Sequence, residues 1–495
     1  MRAALTVPGA AQTMGHVSAD DLNDDDALHT FFARSLTDLE GKSGLGVITV
    51  AAPVAPLEAF LRATPREMSM LWHPPNGATF AATGAAVVLN FEGPSRLRDL
   101  REKTSALFDS LRVYVQPVIA PPPPRLFGGV SFAPGFSGVP WEGFPDASLA
   151  MGRWVYARSA DMKSAFLSFA TPADADLSIR ARLGMMEELD SILEALSSAA
   201  GTTAAAPPAR SILSTSIAQL DLATWTRHID AIRAAIGSDR FEKIVAARRG
   251  DVTLEDPIDD VDVVTRLAAE PGCIRFSFRR GNATFLGASP ETLFTKLGVE
   301  LVTEALAGTI KSLGSDVPRL EGQSTRLLNS EKDLSEHAFV VREIRESLAP
   351  LAKEIIAHKH PQIRKVRNIL HLNTAISATL QPQTHVIDIL MALHPTPAVG
   401  GAPTREAAEW IAAHEIAPRG WYTGTVGWVD AKGDGSFAVA IRAGVLRDKM
   451  AFVFTGAGIV LNSDAGAEYA ETSLKQGPFL RALGVEPRPS EYPGR

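Results

Sequence analysis

The chain of 495 residues contains one cysteine, Cys273. It can therefore form no intramolecular disulfide, and a cysteine zinc site or a secreted disulfide framework is excluded. It has no run of about 18 apolar residues, the length a membrane-crossing helix needs. Nor does an apolar stretch follow basic residues near its start, so neither a signal peptide nor a membrane span is expected and the cytoplasm is the default setting. Positive charge is not in excess either. Against 56 Asp and Glu stand 49 Lys and Arg, a net charge of −7, which argues against a surface for nucleic acid or anionic lipid but allows a small basic pocket for an anion.

What the chain does have is apolar content, 45%, enough for a large core; its length suggests three domains or one oversized one. The acidic stretch DDLNDDDA within residues 1–27 reads as a tail with little to bury. Residues 45–205 hold short apolar runs broken by Pro and Gly, as strands do, and MMEELDSILEALSSA has helical spacing. A surface loop at 200–209 marks the internal boundary, giving halves 28–220 and 221–486 and a C-terminal tail 487–495. The second half reads as a helix (DLATWTRHIDAIRAAIGS), strands, two or three helices between 325 and 415, strands at 421–461 and a closing helix at 467–484. Strands and helices lack a regular βαβ rhythm, which favours an α+β fold over a doubly wound sheet.

Several polar residues stand out against this pattern. In the closing helix Glu468, Glu471 and Lys475 fall at i, i+3 and i+7 and share one face, as an ordinary solvated stripe would. They follow TGAGIV, read as a strand ending in a Gly-rich turn whose N–H groups could receive a carboxylate or phosphate. Lys243, in FEKIVAARR, shares by alternation the side of Phe241 and Val245, and a lysine on an apolar strand face is either snorkelling at an edge or a general base. Glu291 follows a strand that breaks at Ser289 and Pro290. Thr404 is the N-cap candidate for the helix after LHPTPAVGGAP. Residues 419–446 form a hairpin around KGDG, with Tyr422 and Arg442 on its arms, a phenol and a guanidinium able to bind a carboxylate.

Taken together, FEKIVAARR, FLGASPETLF, EALAGTI, SEKDLSEHAFVV, HLNT, LHPTPAVGG, RGWYTGTVGW, VAIRAG, TGAGIV and EYAETSLK resemble, in order from about residue 225 to 485, the chorismate-utilising enzymes. The resemblance is closest to the isochorismate synthases. It implies one large domain of two stacked, pseudo-symmetric β-sheet halves flanked by helices, in place of three domains. It also implies a small-molecule substrate, chorismate, and a protein that is a monomer or weak homodimer.

The resemblance further implies a Mg²⁺ site at Glu336 and Glu471, with Asp333 and Glu468 as outer or water-mediated partners, an oxygen donor set that suits this ion. Glu331 and Glu343 have no counterpart and are expected to be solvated. Lys243 matches the base of the family members that use water rather than ammonia, and Glu291 the acid that protonates the departing C4 hydroxyl. Tyr422, Arg442, Gly456 and Gly458 are implied to hold the enolpyruvyl carboxylate, with Thr309, His371 and Lys475 lining the ring side. Ala307 stands where aminodeoxychorismate synthases carry a lysine, which removes that branch. Salicylate synthase, and at a greater distance anthranilate synthase component I, are the alternatives. Ala465 and Gly466 depart from the family pattern and bear on loop geometry rather than chemistry.

Overall fold

The computed structural model describes residues 25–135, 138–205, 216–311, 317–366 and 369–485. Residues 1–24 of the expected tail 1–27, the tail 487–495 and residues 206–209 of the boundary loop lie outside them. Helix Asp25–Leu39 takes in the end of the stretch expected to be a tail. Its Leu28, Phe32, Leu36 and Leu39 fall on one helical stripe and are buried.

Among the described residues the strands form one sheet of thirteen and one of ten. Neighbours pair antiparallel, apart from Leu45–Ala52 beside Leu111–Val115, and this is the α+β class expected from the irregular order of elements. Each sheet is shared by the two halves of the chain. In the larger one, strand Ile274–Arg280 pairs with Met68–His73, setting Phe276 opposite Trp72. In the smaller one, Thr425–Asp430 pairs with Arg125–Val130, setting Thr425 opposite Val130. Hydrogen-bonded seams therefore cross the division near residue 220, and strand Ser216–Gln219 already pairs with Gly250–Thr253 of the second half.

The sheets face each other across an aromatic layer. Trp72, Phe276 and Phe285 come from the larger sheet, Phe127, Val426 and Trp428 from the smaller, and Trp421 from the turn before the hairpin. Trp421 packs edge-on to Phe144 at 5.3 Å and to Phe285 at 6.2 Å between ring centroids, arrangements that suit the ring quadrupole. Its indole N–H donates to the Pro145 carbonyl at 2.7 Å. A Cβ on Gly129 would come within 2.6 Å of this ring, so glycine is what lets the strand pass it. Helices cover the outer faces: Glu331–Leu348, Val386–Leu393 and Arg96–Asp109 in one cluster, and Leu222–Gly237, Thr404–His414 and Ala465–Leu483 over the larger sheet. No described helix is long and apolar enough to cross a membrane.

The segment between 350 and 381, which the sequence reading left without strands, contains Ala352–Ala357, Gln362–Val366 and Ile369–Leu380. The third shows the period of two: Leu370, Leu372, Thr374, Ile376, Ala378 and Leu380 are buried while the residues between them are partly exposed. Small and polar residues at alternate positions gave this pattern little contrast.

Trp421 fills the centre of the aromatic layer with no exposed surface. Trp421→Ala is expected to lower unfolding stability by about 3–5 kcal/mol, read as a fall in the urea midpoint. A midpoint equal to that of the wild type would show that this layer does not hold the sheets together.

Candidate active site

A cavity of about 600 Å³ opens where the first turns of helices Glu331–Leu348 and Ala465–Leu483 approach strands Lys243–Thr253 and Met450–Ile459. Of the residues singled out from sequence, Lys243, Glu291, Asp333, Glu336, His371, Tyr422, Arg442, Gly456, Gly458, Glu468, Glu471 and Lys475 all line it. Thr309 is opposite His371 on the neighbouring strand, and its side chain lies outside the described residues.

Lys243 opens its strand, whose first residues pair with Gly401 and Ala402. Its Nζ donates to Glu336 Oε1 at 2.9 Å. Val245 lines the cavity beside it, but Phe241 packs with Ile244 and Ala246 in the opposite cluster, because the strand starts only at Lys243 and the alternation does not reach back. The Gly-rich segment also differs from the expected turn: Gly456 and Gly458 lie within a continuous strand, opposite Ala247 and Val245. The glycines make room for side chains. A Cβ on Gly458 would stand 2.5 Å from Lys243 Cε, and one on Gly456 would stand 3.4 Å from the Tyr422 hydroxyl.

The carboxylates come from two helix starts. Ser330 caps the first, accepting from the Asp333 N–H, and Asp464 caps the second, accepting from the Ala467 N–H. Asp333 and Glu336 then project from one and Glu468 and Glu471 from the other; Asp333 and Glu468 lie in the first turns, where N-terminal N–H groups favour negative charge, and Glu336 and Glu471 in the next. Glu471 Oε1 is 2.7 Å from Lys475 Nζ. Burial, and the neighbouring Glu471, push the Glu468 carboxyl above the usual range. Among the described residues no three His, Cys, Asp or Glu side chains converge as a ready metal cluster. Glu336 and Glu471 instead each meet a lysine nitrogen, Lys243 Nζ and Lys475 Nζ, so both carboxylates are arranged to accept from a positively charged or donating group. One or two carboxylates completed by water and substrate oxygens are what Mg²⁺ commonly takes, and the donor set fits it.

Glu291 follows strand Ala283–Ser289, and its N–H is held by Ser289 Oγ at 3.2 Å while its carbonyl accepts from Val439 N at 3.1 Å. Burial, with the Glu304 carboxylate nearby, raises its carboxyl to about 7, against the opposing pull of Arg364 and Lys243. A carboxyl so placed can keep a proton near neutrality and give it up in a reaction.

The other end of the cavity is cationic. Burial, followed by the Lys475 and Arg442 charges, lowers His371 to about 4, which leaves it neutral at pH 7. Burial also raises the Tyr422 phenol, keeping it a hydrogen-bond donor. Tyr422 and Arg442 stand at the base of the hairpin rather than on its arms, which span Thr425–Asp430 and Gly435–Val439. Arg442, at φ 54°, lies where the chain leaves the smaller sheet for the larger. Lys475 Nζ also donates to the Gly456 carbonyl at 3.0 Å.

Sequence reading missed the residues that brace this site. Arg419 is buried and makes two contacts to Glu415, at 2.6 and 2.8 Å, while donating to the Val399 and Val245 carbonyls at 2.7 Å. The spacing of Glu415 and Arg419 was the available signal, but i,i+4 pairs of this kind are abundant on helix surfaces. Glu343, expected to be solvated, is half-buried, accepts from Thr404 and lines a second cavity of about 710 Å³; burial raises its carboxyl. Thr404 is thus the first helical residue rather than the cap, a position taken by Pro403. Glu331 is exposed, as expected.

Residues 35–484 match the family model of chorismate binding enzymes. The chain is 33% identical over 439 residues to the salicylate biosynthesis isochorismate synthase of Pseudomonas aeruginosa, covering 88% of each chain. It is 36% identical over 272 residues to the isochorismate synthase MenF of Bacillus subtilis, covering 54% of this chain and 57% of that one. In fold it is similar to the menaquinone-specific isochorismate synthase MenF of Escherichia coli, with a TM-score of 0.73 at 23% identity, over 92% of this chain and all of that one. With a matching family model over nearly all described residues and a relative this similar along most of its length, the chain belongs to the chorismate binding enzymes.

Proposed function

We propose that this protein is an isochorismate synthase, interconverting chorismate and isochorismate. The observation that carries the reading is the placement of an amine, Lys243, and a buried carboxyl, Glu291, in the walls of one cavity, in a chain so similar to isochorismate synthases.

The reaction adds a hydroxyl at ring C2 and removes the one at C4. Lys243, as the free amine, takes a proton from the water that forms the new C2–O bond. As the ring double bonds shift and the C4–O bond breaks, Glu291 gives its proton to the departing hydroxyl, which leaves as water. One water enters and one leaves, so substrate and product are isomers. To act as base, the Lys243 nitrogen must release Glu336, which it holds at 2.9 Å. Glu336 and Glu471 would hold Mg²⁺, which when bound supplies positive charge to the ring carboxylate, with Asp333 and Glu468 beside them. Arg442, Lys475 and the Tyr422 hydroxyl suit the enolpyruvyl carboxylate, and neutral His371 lines the ring side without adding charge.

Incubation with chorismate and Mg²⁺, without ammonia, is expected to give a mixture of chorismate and isochorismate and no pyruvate on chromatography, with EDTA abolishing conversion. Salicylate with pyruvate would make it a salicylate synthase, and conversion only with ammonia would make it an anthranilate synthase. Lys243→Ala and Glu291→Gln should each slow isochorismate formation by about 10²–10⁴-fold, the usual worth of general acid or base help. Near-normal turnover by either variant would remove that residue from the chemistry.

Because Glu291 must be protonated to donate and titrates at about 7, kcat/KM should fall as pH rises through that value. A rate flat to pH 9 would contradict its role. Gly458→Ala should displace the Lys243 amine and lower turnover while leaving the thermal midpoint near that of the wild type, since the group that must yield is the end of a flexible side chain. Unchanged turnover would show that the amine's position does not matter.

A further inference from the structure

We infer that Glu304 is a positioning residue for the acid step: through Arg364 it fixes the backbone that carries Glu291, and its charge keeps the Glu291 proton in place. The inference rests on the reading of Glu291 as general acid and assigns the cluster behind it.

Glu304 lies on strand Glu300–Lys311, and one carboxylate oxygen accepts from Arg364 while the other accepts from the Asn373 amide at 2.7 Å. Arg364 uses its second terminal nitrogen to donate to the Pro290 carbonyl at 3.0 Å, the peptide immediately before Glu291. Three antiparallel strands thus converge on the bend at Pro290. Glu291 and Glu304 also share the walls of the second cavity, of about 710 Å³, with Leu306 and Ala398 common to both cavities.

The charged groups that act on Glu291 are Glu304, Arg364 and Lys243; Arg96 and Glu343 line the same second cavity. A lone Arg364 would draw the proton off Glu291 by favouring its carboxylate, and Glu304 neutralises that pull while disfavouring a second negative charge beside itself. After burial, the proton of Glu291 is thus governed chiefly by one pair of side chains that touch no substrate atom in this reading, and the same pair braces the peptide before it, beside the bonds with Ser289 and Val439. Asn373 fixes the direction of the Glu304 carboxylate, which explains why a strand residue facing the site side carries an amide.

The test is the pH dependence of kcat/KM for chorismate conversion in the full-length protein, with the wild type measured alongside. Glu304→Gln should move the fall at high pH downward by about one unit, the low end of what a nearby charge does to a carboxyl. Arg364→Gln, which leaves Glu304 uncompensated, should move it upward. Opposite shifts are not expected of two residues that merely stabilise the fold, so either variant that folds remains informative against the wild type. Unmoved profiles, or shifts in the same direction, would overturn the inference. A wild type that does not convert chorismate would overturn the proposed function itself, whereas an active wild type with an unshifted Glu304→Gln profile would overturn only the role of Glu304.

Discussion

The buried pair of Arg419 and Glu415 holds together the segments on which the cavity depends. Arg419 donates to Val399 in the proline-rich loop and to Val245 two residues beyond Lys243, and Glu415 accepts from the Ala247 N–H. Two residues farther along lies Trp421, wedged between the sheets. The guanidinium stands over the Phe132 ring at 4.3 Å, so the first half of the chain supplies part of its enclosure. Taking both charges out of water is costly, and the cost is offset only because the donors and acceptors around them are so fully used. Loss of one partner would leave the other buried and unpaired, at about 3–5 kcal/mol. The lysine strand, the loop and the hairpin base would lose their common anchor together.

With those segments fixed, the cavity separates charge. Carboxylates enter from two helix starts at one side, while Arg442 and Lys475 gather with neutral His371 at the other. Each of the two glutamates still meets a lysine, Glu336 with Lys243 at 2.9 Å and Glu471 with Lys475, one turn on in the same helix, at 2.7 Å. A substrate with two carboxylates would suit the proposed function: one would meet the fixed cations, the other the metal that Glu336 and Glu471 are proposed to hold. Glu291 is buried with the Glu304 charge acting on it, and burial first and that charge second let one acidic residue keep a proton while others remain available to a cation.

Much of this was legible in sequence where a residue type and its position agree with a demand of the chemistry. Glu468, Glu471 and Lys475 at helical spacing had to share a face, and the irregular mixture of elements already pointed to α+β. Helices with clear stripes, such as Leu222–Gly237, were equally plain. What escaped was long-range. The i,i+4 spacing of Glu415 and Arg419 alone does not distinguish Glu415 from a surface acid, and neither its bond from the Ala247 N–H nor that from Arg364 to Pro290 is visible locally, because both join residues far apart in the chain. Asn373 lay in a motif that was noticed, yet its partner Glu304 is 69 residues away. The Gly-rich strand was misread as a turn because glycine permits a turn but also permits a lysine to cross a strand, and only the opposite strand decides between them.

The site also concentrates unusual backbone. Thr423 and Arg442 have φ of 58° and 54°, and Gly308 and Gly401 have φ of 73° and 140°. For the two non-glycine residues such a conformation costs of order 1–3 kcal/mol each and persists only where neighbours over-determine it. Here both are held by backbone bonds at the passage between the sheets, Thr423 N–H to Ala440 at 2.9 Å and Ala288 N–H to the Arg442 carbonyl at 3.3 Å. Gly401 has no such freedom to be replaced, because a Cβ there would stand 2.3 Å from the Lys243 carbonyl. The strained positions thus coincide with the places where the lysine strand and the hairpin base approach the cavity. Two sheets, each crossed by a hydrogen-bonded seam between the halves of the chain, are stiff enough to impose that backbone, and the large first half, which supplies none of the residues lining this cavity, serves the site by extending those sheets.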